Sequence, residues 1–213
     1  MRARVLLADD HTLVLEGLRK ILEDDFDLVG LAEDGRALVE MATRLEPDVI
    51  VLDISMPKLN GLDAARQLKK LLPTTKLIFL TMHGDVSYAN EAFRAGASGY
   101  LLKRSAGSEL IQAIHAVLKD QCYMTPAITK EVLDSCLQTS TPSPVPSDKL
   151  TPRQREVLQL VAEGKSTKDI ATILNISIKT VEFHKSHIMR ELDLHTTAEL
   201  TKYAIAQGIV SPE

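Results

Sequence analysis

Five short apolar runs, each followed by an amphipathic stretch, constrain this chain more than any other feature. They are VLLAD (5–9), DLVGLAE (27–33), VIVLD (49–53), KLIFLT (76–81) and GYLLK (99–103). Each has the length and apolar continuity of a buried strand. The intervening segments Leu13–Leu22, Ala37–Leu45, Ala64–Leu72, Val86–Ala95 and Glu109–Leu118 repeat apolar residues at helical spacing. Strand then helix, repeated, implies a parallel sheet covered on both faces and joined by right-handed crossovers. The expected fold is therefore α/β, a doubly wound, five-stranded parallel sheet of the flavodoxin-like kind. In such a sheet the carboxyl ends of the strands gather at one edge, and ligands bind there.

The pattern stops at QTSTPSPVPSDK, residues 138–149, which has three prolines, three serines and Val145 as its one apolar residue. That composition packs no core and favours extended chain, so it reads as a linker. The expected organisation is a first domain over 1–125, a helical extension and linker over 126–149, and a second domain over 150–213. With 213 residues and 45% apolar content, two ordinary domains with real cores are affordable. No apolar run approaches the roughly 18 residues of a membrane span, and the basic start MRAR leads directly into a strand. A cytoplasmic protein with no membrane partner is expected. Cys122 and Cys136 have no His or Cys at metal-ligand spacing and read as reduced thiols. The net charge of -4 hides an uneven distribution: residues 149–213 carry nine Lys and Arg against eight Asp and Glu, the remainder 16 against 21.

Asp53 closes the third apolar run, and a charge at the end of a buried strand is costly unless paired or coordinated. The first strand ends in Asp9 and Asp10, the fourth in Thr81 and the fifth in Lys103. Brought to one crevice, the carboxylates would repel unless a cation stood among them. An all-oxygen set with room for water suits a hard divalent ion such as Mg2+, which would also offset the charge of an incoming phosphoryl group.

The set Asp9-Asp10, Asp53-x-x-Met56-Pro57-x-x-x-Gly61, Thr81, Gly99-Tyr100 and Lys103 resembles the receiver domain of bacterial two-component response regulators over residues 1–125. The resemblance implies that Asp53 is the phosphoacceptor for a sensor histidine kinase. Asp10 and Asp53 with the Ser55 backbone carbonyl would hold Mg2+, and Asp9 would act largely through water. Lys103 would pair with the phosphoryl oxygens, Thr81 would hydrogen-bond one of them, and Tyr100 would be the aromatic switch that turns inward. Arg104 stands where many receivers have Pro. Ser55 and His83, two residues beyond Asp53 and Thr81, flank the path of attacking water and are expected to influence how long the phosphate lasts.

Beyond the linker, Thr151-Pro-Arg-Gln154, Ser166-x-x-Asp169 and Thr196-x-x-Glu199 are helix-start signatures, with Gly164 and Gly208 as stops. A small all-α domain of four helices is expected. In IKTVEFHKSHIMREL, Val181, Ile188 and Leu192 fall on one side of a helical wheel, while Lys179, Glu182, Phe183, Ser186 and Arg190 fall on the other. An exposed Phe among polar residues can meet a thymine methyl while cations contact phosphate or guanine. The arrangement reads as helix-turn-helix, with this helix in the major groove of double-stranded DNA.

The stretch from Leu150 to Leu192 also resembles the four-helix DNA-binding domain of the NarL/FixJ, LuxR-type family, the match extending over 150–210. It implies base contacts from Lys179, Glu182, Phe183 and Ser186, and phosphate contacts from Thr167, Lys168, Thr180 and Lys185. Lys185 lies near the apolar side of the wheel, where a snorkelling surface lysine is the alternative. In that family the last helix, Thr197–Gln207, makes a dimer contact, here through Leu200, Tyr203 and Ala204, so that a homodimer binds two half-sites; packing against the other three helices is the alternative for some of these residues. The whole reads as a phosphorylation-controlled transcription regulator whose only chemistry is on itself. A phosphatase for small substrates would want a second carboxylate just after Asp53, where Ile54 and Ser55 stand. A DNA-binding module with an interaction-only receiver is the remaining alternative.

Overall fold

The computed structural model describes residues 2–138 and 149–210. Most of the segment read as a linker, 139–148, and the side chain of Cys136 lie outside the described residues. The described residues form two compact units, each taken by itself.

In the first unit the elements run β1 (Arg4–Ala8), α1 (Thr12–Leu22), β2 (Asp27–Ala32), α2 (Gly35–Leu45), β3 (Val49–Leu52), α3 (Gly61–Leu71), β4 (Lys76–Thr81), α4 (Val86–Arg94), β5 (Gly99–Leu102), α5 (Ala106–Leu118), β6 (Tyr123–Met124) and α6 (Pro126–Gln138). The sheet order is β2-β1-β3-β4-β5-β6, every pairing parallel. On one face Val5, Leu7, Val51, Ile78, Leu80 and Leu101 pack against Leu15, Leu18 and Leu22 of α1 and Leu110, Ile114 and Val117 of α5. The alternate strand residues Leu6, Ile50, Leu52, Leu77, Phe79 and Tyr100 are equally buried, as are Leu38 of α2 and Leu68 of α3. Burial on both faces is why these runs are continuously apolar rather than alternating.

The sheet has six strands, which corrects the expected five. Tyr123 and Met124 add in parallel to the outer edge of β5, opposite Gly99 and Tyr100. Two residues are too short to show a period, and their pairing rests on backbone bonds from Tyr123 N to Ser98 O and from Thr125 N to Tyr100 O, at 3.1 and 3.0 Å. The strand covers an edge that would otherwise expose unpaired backbone groups.

The second unit consists of α7 (Pro152–Ala162), α8 (Thr167–Leu174), α9 (Ile178–Leu192) and α10 (Thr197–Ala206). Thr151 with Gln154, Ser166 with Asp169, and Thr196 with Glu199 form reciprocal capping boxes. Its core joins Val157, Leu158, Leu160, Ile170, Leu174, Val181, Ile188, Leu200, Ala204 and Ile209. Leu200 and Ala204 are fully buried in that core, which corrects their assignment to a dimer surface. The face of α10 that carries them is committed to α7, and its exposed apolar side chain is Ile205.

Candidate functional site

Two surfaces carry the residues singled out by sequence. The first is the carboxyl edge of the sheet. Asp9 follows β1 and Asp53 follows β3, and their backbones lie side by side because Asp53 N donates to Ala8 O at 2.9 Å. Both carboxylates are buried, at 1% and 4% exposure, whereas Asp10 is exposed. Lys103, immediately after β5, reaches across with its ammonium 2.7 Å from Asp9 Oδ2 and 2.8 Å from Asp53 Oδ2. The other Asp53 oxygen, Oδ1, accepts from Ile54 N at 2.6 Å. Burial alone would lower the pKa of Lys103, but the two carboxylates reverse this and hold it above the usual lysine value.

His11 is a member of this site that sequence reading missed. It occupies the cap position of α1, yet its side chain makes no capping bond there. Its Nδ1 instead lies 3.1 Å from Asp9 Oδ1 and 2.9 Å from Asp10 Oδ1. The ligand atoms of Asp9, Asp10 and His11 all lie within 4.8 Å of one another. The available signal was its place directly after the two aspartates. Asp53 joins this group through Lys103. Asp9, Asp10 and Asp53 against Lys103 leave the edge short of positive charge, and Asp9 and Asp53 are taken from water, so the donors fit a hard divalent cation.

The opposite wall comes from the end of β4. Thr81 is fully buried, and its Oγ1 accepts from His83 N at 3.3 Å. His83 Nε2 lies 2.9 Å from Ser55 Oγ, and its ring stacks on Tyr88 at 4.2 Å between centroids. Tyr100 is already turned in: it is fully buried and its hydroxyl donates to His83 O at 2.8 Å. Burial first, then the negative charges of Asp53 and Asp85, push its phenol well above the usual tyrosine range. Gly61 begins α3 with its Cα against the Asp53 backbone; a Cβ there would stand 1.9 Å from Asp53 O.

The second surface is the outer face of α9. Ser177 caps the helix by accepting from Thr180 N at 3.0 Å, and its hydroxyl lies 2.8 Å from Thr180 Oγ1. Lys179, Glu182, Phe183, Ser186 and Arg190 are exposed, Phe183 at 64%, while Val181 and Ile188 face the core. Lys168 is exposed and Thr167 half-buried at the start of α8. Lys185 is half-buried and donates to Thr197 Oγ1 at 3.1 Å, so in this structure it ties α9 to α10. Beneath Phe183, His187 Nδ1 lies 3.0 Å from Gln154 Nε2. Burial, with Arg153 and His187 nearby, holds His184 below the ordinary histidine value.

Comparison with known proteins matches each part of the chain to a family. Residues 5–115 match the family described as response regulator receiver domain, and residues 148–204 the family described as bacterial regulatory proteins, luxR family. The transcriptional regulatory protein MctR of Rhizobium johnstonii is 35% identical over 99% of this chain and 96% of its own. The oxygen regulatory protein NreC of Staphylococcus carnosus is 36% identical over 97% and 99%. Among solved structures, RcsB from Salmonella enterica serovar Typhimurium, bound to a promoter in the presence of the phosphomimetic BeF3-, superposes with a TM-score of 0.59 at 32% identity, covering 95% of this chain and 98% of that one. A further RcsB–DNA complex gives the same TM-score at 31% identity, covering 95% and 98%. No helix among the described residues is long and apolar enough to cross a membrane. The chain belongs to the two-component response regulators that join a receiver domain to a LuxR-family DNA-binding domain.

Proposed function

We propose that the chain is a cytoplasmic transcription regulator switched by phosphoryl transfer from a sensor histidine kinase to Asp53. Residues 1–125 form the receiver, 126–149 an extension and linker, and 150–213 the DNA-binding domain. The observation that carries this reading is the Lys103 ammonium held between the buried carboxylates of Asp9 and Asp53 at the carboxyl edge of a doubly wound sheet. A carboxylate oxygen of Asp53 attacks phosphorus, the bond from phosphorus to the donor nitrogen breaks, and the electron pair leaves with the imidazole. Lys103 is already placed to meet the developing negative charge without reorganisation. Mg2+ held by Asp9, Asp10, Asp53 and the Ser55 carbonyl would supply further charge neutralisation. Thr81 Oγ1 exchanges its bond from His83 N for one to a phosphoryl oxygen. Tyr100, already packed inward and bonded to His83 O, holds the β4–α4 connection in place.

Dephosphorylation returns the phosphoryl group to water. Ser55 and His83, bonded to each other, flank the path of that water and influence how long the phosphate lasts. The receiver's chemistry is therefore confined to making and breaking its own acyl phosphate. In the second domain, Lys179, Glu182, Phe183 and Ser186 read bases in the major groove, while Thr167, Lys168, Thr180 and Lys185 contact phosphates. Phosphorylation promotes a homodimer that occupies two half-sites, and joining two readers raises affinity by effective concentration. That contact would involve α10 through Tyr203, which is half-buried, beside exposed Ile205.

The test is sedimentation of the full chain with a mixed-sequence duplex pool, with and without a Mg2+-dependent small phosphodonor. A phosphodonor-dependent dimer with tighter, salt-sensitive DNA binding is expected, and Asp53→Asn abolishes the change. Unchanged mass and affinity despite labelled Asp53 would mean that the receiver does not control DNA binding.

A further inference from the structure

Where the chain leaves the sheet after β6, one hydroxyl does the work of a backbone carbonyl. In a parallel ladder a residue's carbonyl accepts from the neighbouring strand two residues further along. Thr125 N donates to Tyr100 O at 3.0 Å, so the next bond would run from Leu102 N to Thr125 O. That carbonyl is already committed to α6, accepting from Ile128 N at 3.1 Å and Thr129 Oγ1 at 3.0 Å. Thr125 Oγ1 takes its place and accepts from Leu102 N at 3.2 Å.

The direction of that bond decides the rest. A backbone N–H can only donate, so the hydroxyl proton is free to point elsewhere. It points to Glu109 Oε2, 2.9 Å away in the first turn of α5. Thr125 is buried, at 1% exposure, so neither bond is readily replaced by water. Between Leu102 and Glu109 lies the tight turn Lys103–Ser105, which carries the ammonium that bridges Asp9 and Asp53.

We infer that Thr125 is a positioning residue for phosphoryl transfer, its hydroxyl pinning both ends of the turn that presents Lys103 to Asp53. This rests on the reading of Asp53 as phosphoacceptor. Thr125 touches neither the phosphoryl group nor Lys103; it acts by fixing Leu102 N on one side of the turn and Glu109 on the other. Arg104 gives the turn no proline to stiffen it, so its geometry depends on these outside bonds.

The experiment uses the full chain with acetyl phosphate and Mg2+, following incorporation at Asp53 over a range of donor concentrations. Thr125→Val keeps the shape and removes the hydroxyl. It is expected to lower the saturating rate about tenfold, as small misplacements of a catalytic group do, with the half-saturating donor concentration unchanged. Thr125→Ser restores the rate, a rescue and a split that loss of packing alone would not produce. A folded Thr125→Val chain labelled at the wild-type saturating rate overturns the inference. Should that variant fail to fold, Glu109→Ala decides: a lowered saturating rate supports the pin and an unchanged one refutes it. A wild-type chain that takes no label at Asp53 overturns the phosphoacceptor reading itself, and this inference with it.

Discussion

Lys103 stabilises the fold of its site as well as serving its proposed chemistry, because without it two buried carboxylates face each other. Lys103→Met is expected to lower unfolding free energy by about 3–5 kcal/mol, the range for breaking a buried pair, as read by urea denaturation of the receiver signal. Millimolar Mg2+ should recover part of the loss, since a ligand that binds only the folded state stabilises it by mass action. The sign of the pH dependence follows from the raised pKa of Lys103. Its contribution is complete below the unfolded lysine value and disappears as pH rises through the higher folded one, so the difference between wild type and Lys103→Met should shrink only in strongly alkaline solution. Gly61 constrains the same site from behind. With the Asp53 carbonyl 1.9 Å from where a Cβ would stand, Gly61→Ala must displace the strand end. A loss of about 1–3 kcal/mol is expected from overpacking, together with slower labelling of Asp53. His11 was not legible in the sequence because a residue between two aspartates and a helix usually caps that helix; its ring turns back onto Asp9 and Asp10 instead.

The elements were legible wherever a period or a cap was long enough to register. β1 to β5 lie within a residue of the apolar runs at either end, and the three capping boxes stand where Thr151, Ser166 and Thr196 placed them. β6 was invisible because pairing, not pattern, makes it a strand. The face of α10 stayed open in sequence for a related reason: Leu200 and Ala204 lie on a weakly amphipathic helix whose apolar residues serve a core or a partner equally well, and packing against α7 chose the core for these two. Ser177 supports a prediction at this scale. Its hydroxyl accepts from Thr180 N at the start of α9, and Ser177→Ala should cost about 1 kcal/mol as caps do. Hydrogen exchange across the first turn of α9 should accelerate, and DNA affinity should fall with it.

For the whole molecule, the balance of charge predicts how DNA binding responds to salt. The second domain is nearly neutral, so attraction to DNA comes from where its cations stand. Lys168→Met should reduce the slope of log affinity against log salt by about one, uniformly across sequences, whereas Phe183→Ala should leave the slope intact and blunt sequence preference. Titrating a random and a selected duplex at several salt concentrations separates the two. The amino-acid sequence alone determined the alternation of strands and helices, the place of Asp9, Asp53, Thr81 and Lys103 at the carboxyl ends of their strands, and the outer face of α9, because each follows from local periodicity. Only the tertiary structure decided that Lys103 spans Asp9 and Asp53, that His11 joins them, that Tyr100 is already buried, and that Thr125 pins the turn beside β5. Apart from His11, which turns back on its own neighbours, these depend on residues far apart in the chain, and no local pattern encodes which hydroxyl or ammonium will meet which partner until packing has placed them.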